Sequence, residues 1–372
     1  MTSIIYVGMD VHTTNYTLCC YSMEDDRFFA EVQVEPDAKN ILKYLARIEK
    51  QQSRDCRIVC GYEAGCLGYS LYHQLHAHGI DCVILAPTTM MTKPGKRIKT
   101  DRRDARLISK CLAFHTYSPV YIPTEVDDAV KEYIRMRDDA NSALGRVKQQ
   151  IIAFCIRHGK IHDGKSYWTN KHLEWLSSLD LGNKILSEVL QEYLIRYYQL
   201  REQVDMYDMR INELAQAEPY RQKVEKLGCF RGIAAHTALS FCVEVGDFRR
   251  FATAQQFASY LGLVPGECSS GDKQQYTGIT KAGNSHLRKL LVETAQVFGR
   301  SATKSGKSVA LKERQAKCDS LTVAYADKAN ARLKKKYFKI AMRSKVNIAK
   351  TAVAREMACF IWGMMTDNIS CA

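Results

Sequence analysis

The chain has 372 residues, 46% of them apolar and 25% charged, enough for two or three packed domains and unlike a disordered or fibrous protein. Its net charge of +14 is uneven: residues 281–372 hold 19 Lys/Arg and 6 Asp/Glu, a net of +13, which leaves +1 for everything before them. No apolar run reaches bilayer length and no signal peptide opens the chain, so neither a membrane protein nor an exported one is expected, and the fourteen Cys read as reduced thiols in the cytoplasm.

The first part alternates strands and helices. "SIIYVGMDV", "TNYTLCCYSM" and "RFFAEVQVEP" read as three strands, the last two joined by an acidic turn. "AKNILKYLARIEKQQ" has helical spacing at Ile41, Tyr44, Leu45 and Ile48. Strand "CRIVCGYE", helix "GYSLYHQLHAHG", strand "DCVILAP" and a helix from about Thr100 to His115 follow. The order βββαβαβα predicts a mixed sheet covered by helices.

The middle is helical throughout. Val126, Val130, Tyr133, Ala140, Leu144, Val147, Ile151 and Phe154 form a heptad seam broken only by Arg137. A second seam runs from Leu186 to Leu214. Together they predict an antiparallel helical hairpin, which either packs on one core or also pairs between subunits. Pro219 then ends the second helix. "LGCFRGIAAHTALSFCVEVGD" reads as helix, turn, helix, and "TAQQFASYLGLVP" as a short helix. A Gly/Ser loop, "GECSSGDK", leads to a basic helix, and the last stretch is helical, Lys-rich first and apolar at its end.

Four carboxylates stand out. Asp10 closes the first strand and Glu63 closes a later one. Asp101 and Asp104 are three residues apart, on one helical face, inside a basic run, 93–110, with eight Lys/Arg. Strand ends of a mixed sheet converge, and hard oxygen donors suit Mg²⁺ or Mn²⁺. Two such ions, about 3.5–4 Å apart, support phosphoryl transfer. The flanking Lys99, Arg102, Arg103 and Arg106 suit the phosphates of a nucleic acid. Each acid also has a plain reading as a turn, cap or surface-pair residue. "GMDVHTTNYT" also resembles the phosphate hairpin of actin-like phosphotransferases, but the Gly that family places after the Asp-hydrophobic pair is His12 here and no adenosine site follows.

"ECSSGDK" places Ser269 and Ser270 before Gly271. Read alone it is a polar turn, or a serine poised to attack a phosphodiester and conserve its energy in a covalent link. Lys273, Lys281, Arg288 and Lys289 follow as phosphate contacts, as do Lys334, Lys335 and Lys336 further on, and His286 is a candidate proton carrier.

The joint occurrence of "GMDVH", "YEAG", "KTDRRDA", "FASYLGLVP", "CSSGDK" and "GITKAGNSHLRKLL" resembles the DEDD transposases of insertion sequences, the bridge recombinases related to Piv-type invertases. The resemblance implies an α/β RNase H-like (RuvC-like) catalytic domain over 1–120 and a mainly α transposase domain over 219–300; the heptads set a coiled-coil segment over 121–218 between them, and a basic helical tail follows over 301–372. The resemblance also implies a tetrad of Asp10, Glu63, Asp101 and Asp104 holding Mg²⁺ or Mn²⁺, and Ser270 as nucleophile with Ser269 second. It further implies double-stranded DNA and a structured bridge RNA as partners, and a homodimer or homotetramer in the bacterial nucleoid. The family's helix-hairpin-helix turn usually reads Gly-Ile-Gly, where this chain has Gly232-Ile233-Ala234. A RuvC-like nuclease that activates water and a non-catalytic nucleic-acid-binding protein are the competing readings.

Overall fold

Three strands rich in β-branched and aromatic residues begin the chain: β1 (Ser3–Val11), β2 (Tyr16–Ser22) and β3 (Arg27–Val34). They are followed by α1 (Ala38–Gln51), β4 (Cys56–Glu63), α2 (Ser70–Ala77), β5 (Asp81–Leu85) and α3 (Asp101–Ala113). The computed structural model describes residues 3–52, 56–65, 67–90, 100–267, 275–300 and 306–369. The chain folds as two units, Met1–Ile122 and Pro123–Ala372.

In the first unit the sheet order is β3-β2-β1-β4-β5. The first three strands pair antiparallel, and β1-β4 and β4-β5 pair parallel, as their helical crossovers require. Strand alternation sorts side chains between the faces. Ile5, Val7, Met9, Cys60 and Tyr62 pack under α1 and α2, while Tyr6, Tyr21 and Leu85 pack with Ile108, Cys111 and Leu112 of α3. Asp37 caps α1 by accepting from the Lys39 amide. This mixed sheet, with helices on both faces, fits an RNase H-like domain.

The second unit is mainly helical. Its first elements are α4 (Glu125–Arg157), α5 (Asn170–Ser177) and α6 (Lys184–Gln216). Helices α4 and α6 are antiparallel, since Arg137 meets Asp208 while Phe154 meets Tyr193. The heptad positions Leu144, Val147, Ile151, Leu190, Tyr197 and Val204 form the core of one end, closed by Leu173 and Leu176 of α5. At the other end Val130, Ile134, Ile211 and Ala215 enter a larger core.

That core is built by α7 (Arg221–Gly228), α8 (Ala235–Val245), α9 (Ala254–Tyr260), α10 (Ser285–Arg300), α11 (Val309–Gln315), α12 (Ser320–Ala341) and α13 (Val346–Met365). Phe230, Phe257, Phe298, Val353 and Met357 are wholly buried in it, so the final apolar helix is a core element. Two short strands, β6 (Pro265–Glu267) and β7 (Tyr276–Ile279), pair antiparallel between α9 and α10. Among the described residues no helix is long and apolar enough to cross a membrane.

Candidate active site

Small residues set the geometry of the first unit. Gly8 shares the α3 face of β1 with Tyr6 and Asp10. A Cβ on Gly8 would lie 2.0 Å from the Ala105 carbonyl oxygen and 2.4 Å from the Ser109 amide nitrogen. The helix backbone therefore rests directly on the strand, and the fully buried Ala105 and Ser109 let it. Two residues further along β1 stands Asp10, and one turn back along α3 stand Asp101 and Asp104. Both acids sit in the first turn of α3, where unpaired amides favour negative charge.

Ligand atoms of Asp10, His12 and Asp101 lie within 4.8 Å of one another. His12 Nε2 is 3.3 Å from Asp10 Oδ2. Burial raises the Asp10 carboxyl above its ordinary value; His12 opposes the shift, and the Asp104 and Asp101 carboxylates add to it. Such a cluster of acids, held together by packing, fits a divalent cation: two carboxylates and an imidazole are acceptable donors to Mn²⁺ and, with less preference for the nitrogen, to Mg²⁺.

The four expected carboxylates are thus brought together unequally. Asp10 and Asp101 meet, and Asp104 is near enough to act on Asp10. Glu63 follows Tyr62 on β4 just as Asp10 follows Met9, the residue paired with Tyr62, so it lies at the same sheet edge. It shares the α3 face with Gly61, is exposed, and is outside the close cluster. His12 was not anticipated as a ligand; the Asp-x-His spacing at a strand end was its only signal.

The basic side chains divide into internal and outward groups. Arg102 and Arg106 both pair with Glu31, at 3.3 and 2.7 Å. Arg106 also lies over the Phe28 ring, which fastens α3 to β3. Arg103 is exposed on the first turn of α3. Arg288 donates to the Leu261 and Ala282 carbonyls, an internal role. Lys336 pairs with Glu356 at 2.6 Å and Lys334 is half-buried, whereas Lys281, Lys289 and Lys335 are exposed. Lys99, Ser269, Ser270 and Lys273 lie outside the described residues.

Strands β6 and β7 flank segment 268–274, and their base is held by a dense polar clamp. Lys281 takes φ +56° and donates its amide to the Gly262 carbonyl. Gly262 and Gly283 permit the close approach, since a Cβ on either would lie 2.1 Å from a backbone oxygen. Asn284 caps α10 by accepting from the Leu287 amide and donates to Glu244 Oε2 at 2.6 Å.

Glu244 also contacts His286 Nδ1, while His286 Nε2 lies 2.8 Å from Asp138 Oδ2. Asp138 further receives Arg137 at 3.1 Å and lies 3.0 Å from His236 Nε2. Arg137 in turn makes a bidentate pair with Asp208 of α6 at 2.7 and 2.9 Å. Arg137, Asp138 and His236 also line a cleft of about 460 Å³ whose walls add Lys289, Glu293 and Arg300. In the sequence Arg137 stands out as a heptad break and His286 as a candidate proton carrier, and no spacing links the two.

The turn between α7 and α8 differs from a Gly-Ile-Gly hairpin in a way the backbone explains. Gly232 takes φ +88°, but Ala234 is extended, with φ −111° and ψ −178°, so an alanine fits without strain. The carbonyls of Gly228 and Cys229 accept from Arg314 and Gln315, and the Arg231 amide donates to Asn330. Much of this turn's backbone is satisfied from within the chain.

Comparison with known proteins agrees with both units. Residues 7–156 match a DEDD transposase family of the IS110 type, and residues 225–314 match the family described as transposase IS116/IS110/IS902. The chain is 36% identical to y4qE of Sinorhizobium fredii, named as a transposase, over 82% of its own length and 75% of that protein. It is 32% identical to the transposase for insertion sequence element IS1533 of Leptospira borgpetersenii, over 90% of its own length and 95% of that protein. It is 26% identical to the transposase for IS1111A of Coxiella burnetii, over 68% and 71%. With two relatives above 30% identity over 82% and 90% of the chain, and family matches in both units, this chain belongs to the IS110/IS116 family of transposases and is a DNA strand-transferring enzyme.

Proposed function

We propose that this transposase cuts and rejoins DNA through a RuvC-like acidic centre and a serine nucleophile, under the direction of a structured bridge RNA. The observation that carries the reading is the meeting of Asp10, His12 and Asp101 where α3 rests on Gly8. Asp10, Asp101 and Asp104, with Glu63 from the neighbouring strand end, would hold Mg²⁺ or Mn²⁺. A cation bound there supplies charge neutralisation on the scissile phosphate and the departing oxygen.

The rest falls to the chain's own groups. Ser270, with Ser269 as second choice, attacks the phosphorus. A Ser Oγ–P bond forms, the P–O bond to one sugar breaks, and the serine proton ends on the freed sugar hydroxyl. Reversal on a new hydroxyl completes strand exchange, so bond energy is conserved. The clamped β6–β7 base supports this assignment, because an attacking loop needs fixed ends. Lys281, Lys289 and Lys335, being exposed, suit DNA or RNA backbone, and affinity should fall steeply with salt. Exposed Ile185, Ile195, Met206 and Met209 on α6 support association into a homodimer or homotetramer.

The test pairs two substitutions. With donor DNA and co-purified RNA, wild type should yield a covalent protein–DNA adduct, while Ser270→Ala and Asp10→Asn should not. A Ser269→Ala/Ser270→Ala enzyme that still cleaves, without an adduct, would instead establish water as the nucleophile. Sequencing the co-purified nucleic acid should return one structured RNA species; a random mixture would remove the guide from the scheme.

A further inference from the structure

The tie beneath the β6–β7 base carries an inference of its own. A neutral imidazole donates only one hydrogen bond, yet both ring nitrogens of His286 face carboxylate oxygens, which accept. With both carboxyls ionised, the two contacts require the imidazolium. Its partners come from different helices: Asp138 from α4 and Glu244 from α8, the latter side chain only 4% exposed. The second oxygen of Glu244 holds Asn284, the cap of α10, and Asn284 also donates its amide to the Tyr260 carbonyl at the end of α9. One charge thus joins α4, α8 and α10 at the point where the chain returns from segment 268–274.

We propose that His286 is a positioning residue for strand transfer: as an imidazolium bridging Asp138 and Glu244, it fixes the base of the hairpin that carries the serine-bearing loop. The reach to the loop rests on the serine reading above; the bridge itself does not.

The bridge is sensitive to pH in a definite direction. Burial works against the charge on His286, but the bonds to Asp138 and Glu244 overcome it and raise the group to about 9. Against burial, His286 holds the Glu244 carboxyl below its ordinary value, and His236, His286 and Arg137 together do the same for Asp138. The other groups around the bridge are Arg137 and His236 on Asp138, Asp208 on Arg137, Arg135 near Glu244, and Tyr260, whose hydroxyl bonds the Glu244 carbonyl. The charge on His286 is therefore fully present below about 6.5, where the tie holds as long as the two carboxylates stay ionised, and it is lost as pH rises through about 9.

The test uses the full chain. Nitrogen-15 spectra of histidine-labelled protein should show His286 protonated on both nitrogens at pH 7.5. His286→Gln should speed amide exchange of residues 275–285 at least tenfold, leave α13 protected, and reduce adduct formation at least tenfold. Glu244→Gln/His286→Gln should recover part of that protection, because it removes the carboxylate that the single change strands. A neutral His286 at pH 7.5, or unchanged exchange in His286→Gln, overturns the bridge. Faster exchange with undiminished adduct overturns its role in positioning. An adduct that survives Ser269→Ala/Ser270→Ala would sink the serine reading, while the exchange data still decide the bridge.

Discussion

Gly8 offers the sharpest test of how the acidic centre is assembled. Replacing it with Ala adds one methyl group where the Ala105 carbonyl oxygen would be 2.0 Å away and the Ser109 nitrogen 2.4 Å away. Real Cβ atoms essentially never come within 3.0 Å of a neighbour, so α3 must withdraw from β1 by roughly 1 Å or more. Neither obstructing atom belongs to a side chain that can swing aside. Overpacking of this kind costs about 1–3 kcal/mol of stability. The withdrawal carries Asp101 and Asp104 away from Asp10, and a displacement of about 1 Å in a reacting constellation costs on the order of 100-fold in rate.

Gly61 is the matched control on the neighbouring strand. A methyl there would meet the side-chain ends of Leu112 and Leu85 at 2.8 Å, which can turn away, with the Val83 carbonyl at 3.0 Å. Gly61→Ala should therefore keep most of its activity. The assay is the rate of metal-dependent DNA cleavage at 25 °C, with circular dichroism confirming that both variants are folded. A folded Gly8→Ala enzyme with wild-type rate, or equal losses in the two variants, would refute the claim that this close contact positions the acids.

Two further outcomes follow from the charges. Asp10→Asn relieves a carboxylate that burial and its acidic neighbours disfavour, so in metal-free buffer its melting temperature should equal or exceed that of wild type. Wild type should gain about 2.7 kcal/mol when Mn²⁺ is present at 100 times its Kd, and Asp10→Asn should gain far less; calorimetry with and without Mn²⁺ checks both. Arg137→Met removes the bidentate pair to Asp208 and the bond to Asp138 from a site where the arginine is 18% exposed. Urea denaturation should show a loss of about 2–3 kcal/mol, and a loss under about 0.5 kcal/mol would mark the pair as an ordinary surface contact.

The parts of this molecule that were legible in the sequence are those whose signal is periodic. Val7, Met9, Cys60 and Tyr62 sit in continuous apolar runs because both faces of the sheet are covered, and such runs announce their strands. The helical hairpin was legible for the same reason, with Leu144, Val147, Ile151 and Phe154 repeating at four and three. Strands β6 and β7 were not, since three and four residues are too few to establish an alternation. The heptad break at Arg137 looked like a flaw and is instead a specific contact, a charge paired with Asp208 across the seam.

The acids and the clamp differ in a more basic respect. Asp101 and Asp104 could be placed on one face from spacing alone, and Asp10 at a strand end from the run before it. Whether they meet depends on Gly8, and a glycine inside a strand reads only as a weak position until a helix is seen resting on it. The His286 bridge is harder still. Its carboxylates are 148 and 42 residues away in sequence, on helices whose periodicity says only which face is buried. What fixes them is a constraint of another kind: Glu244 is too deeply buried to keep its charge alone, and both imidazole nitrogens face acceptors. Periodicity thus locates the elements, while the polar groups inside them are located by the need for every buried charge to find a partner.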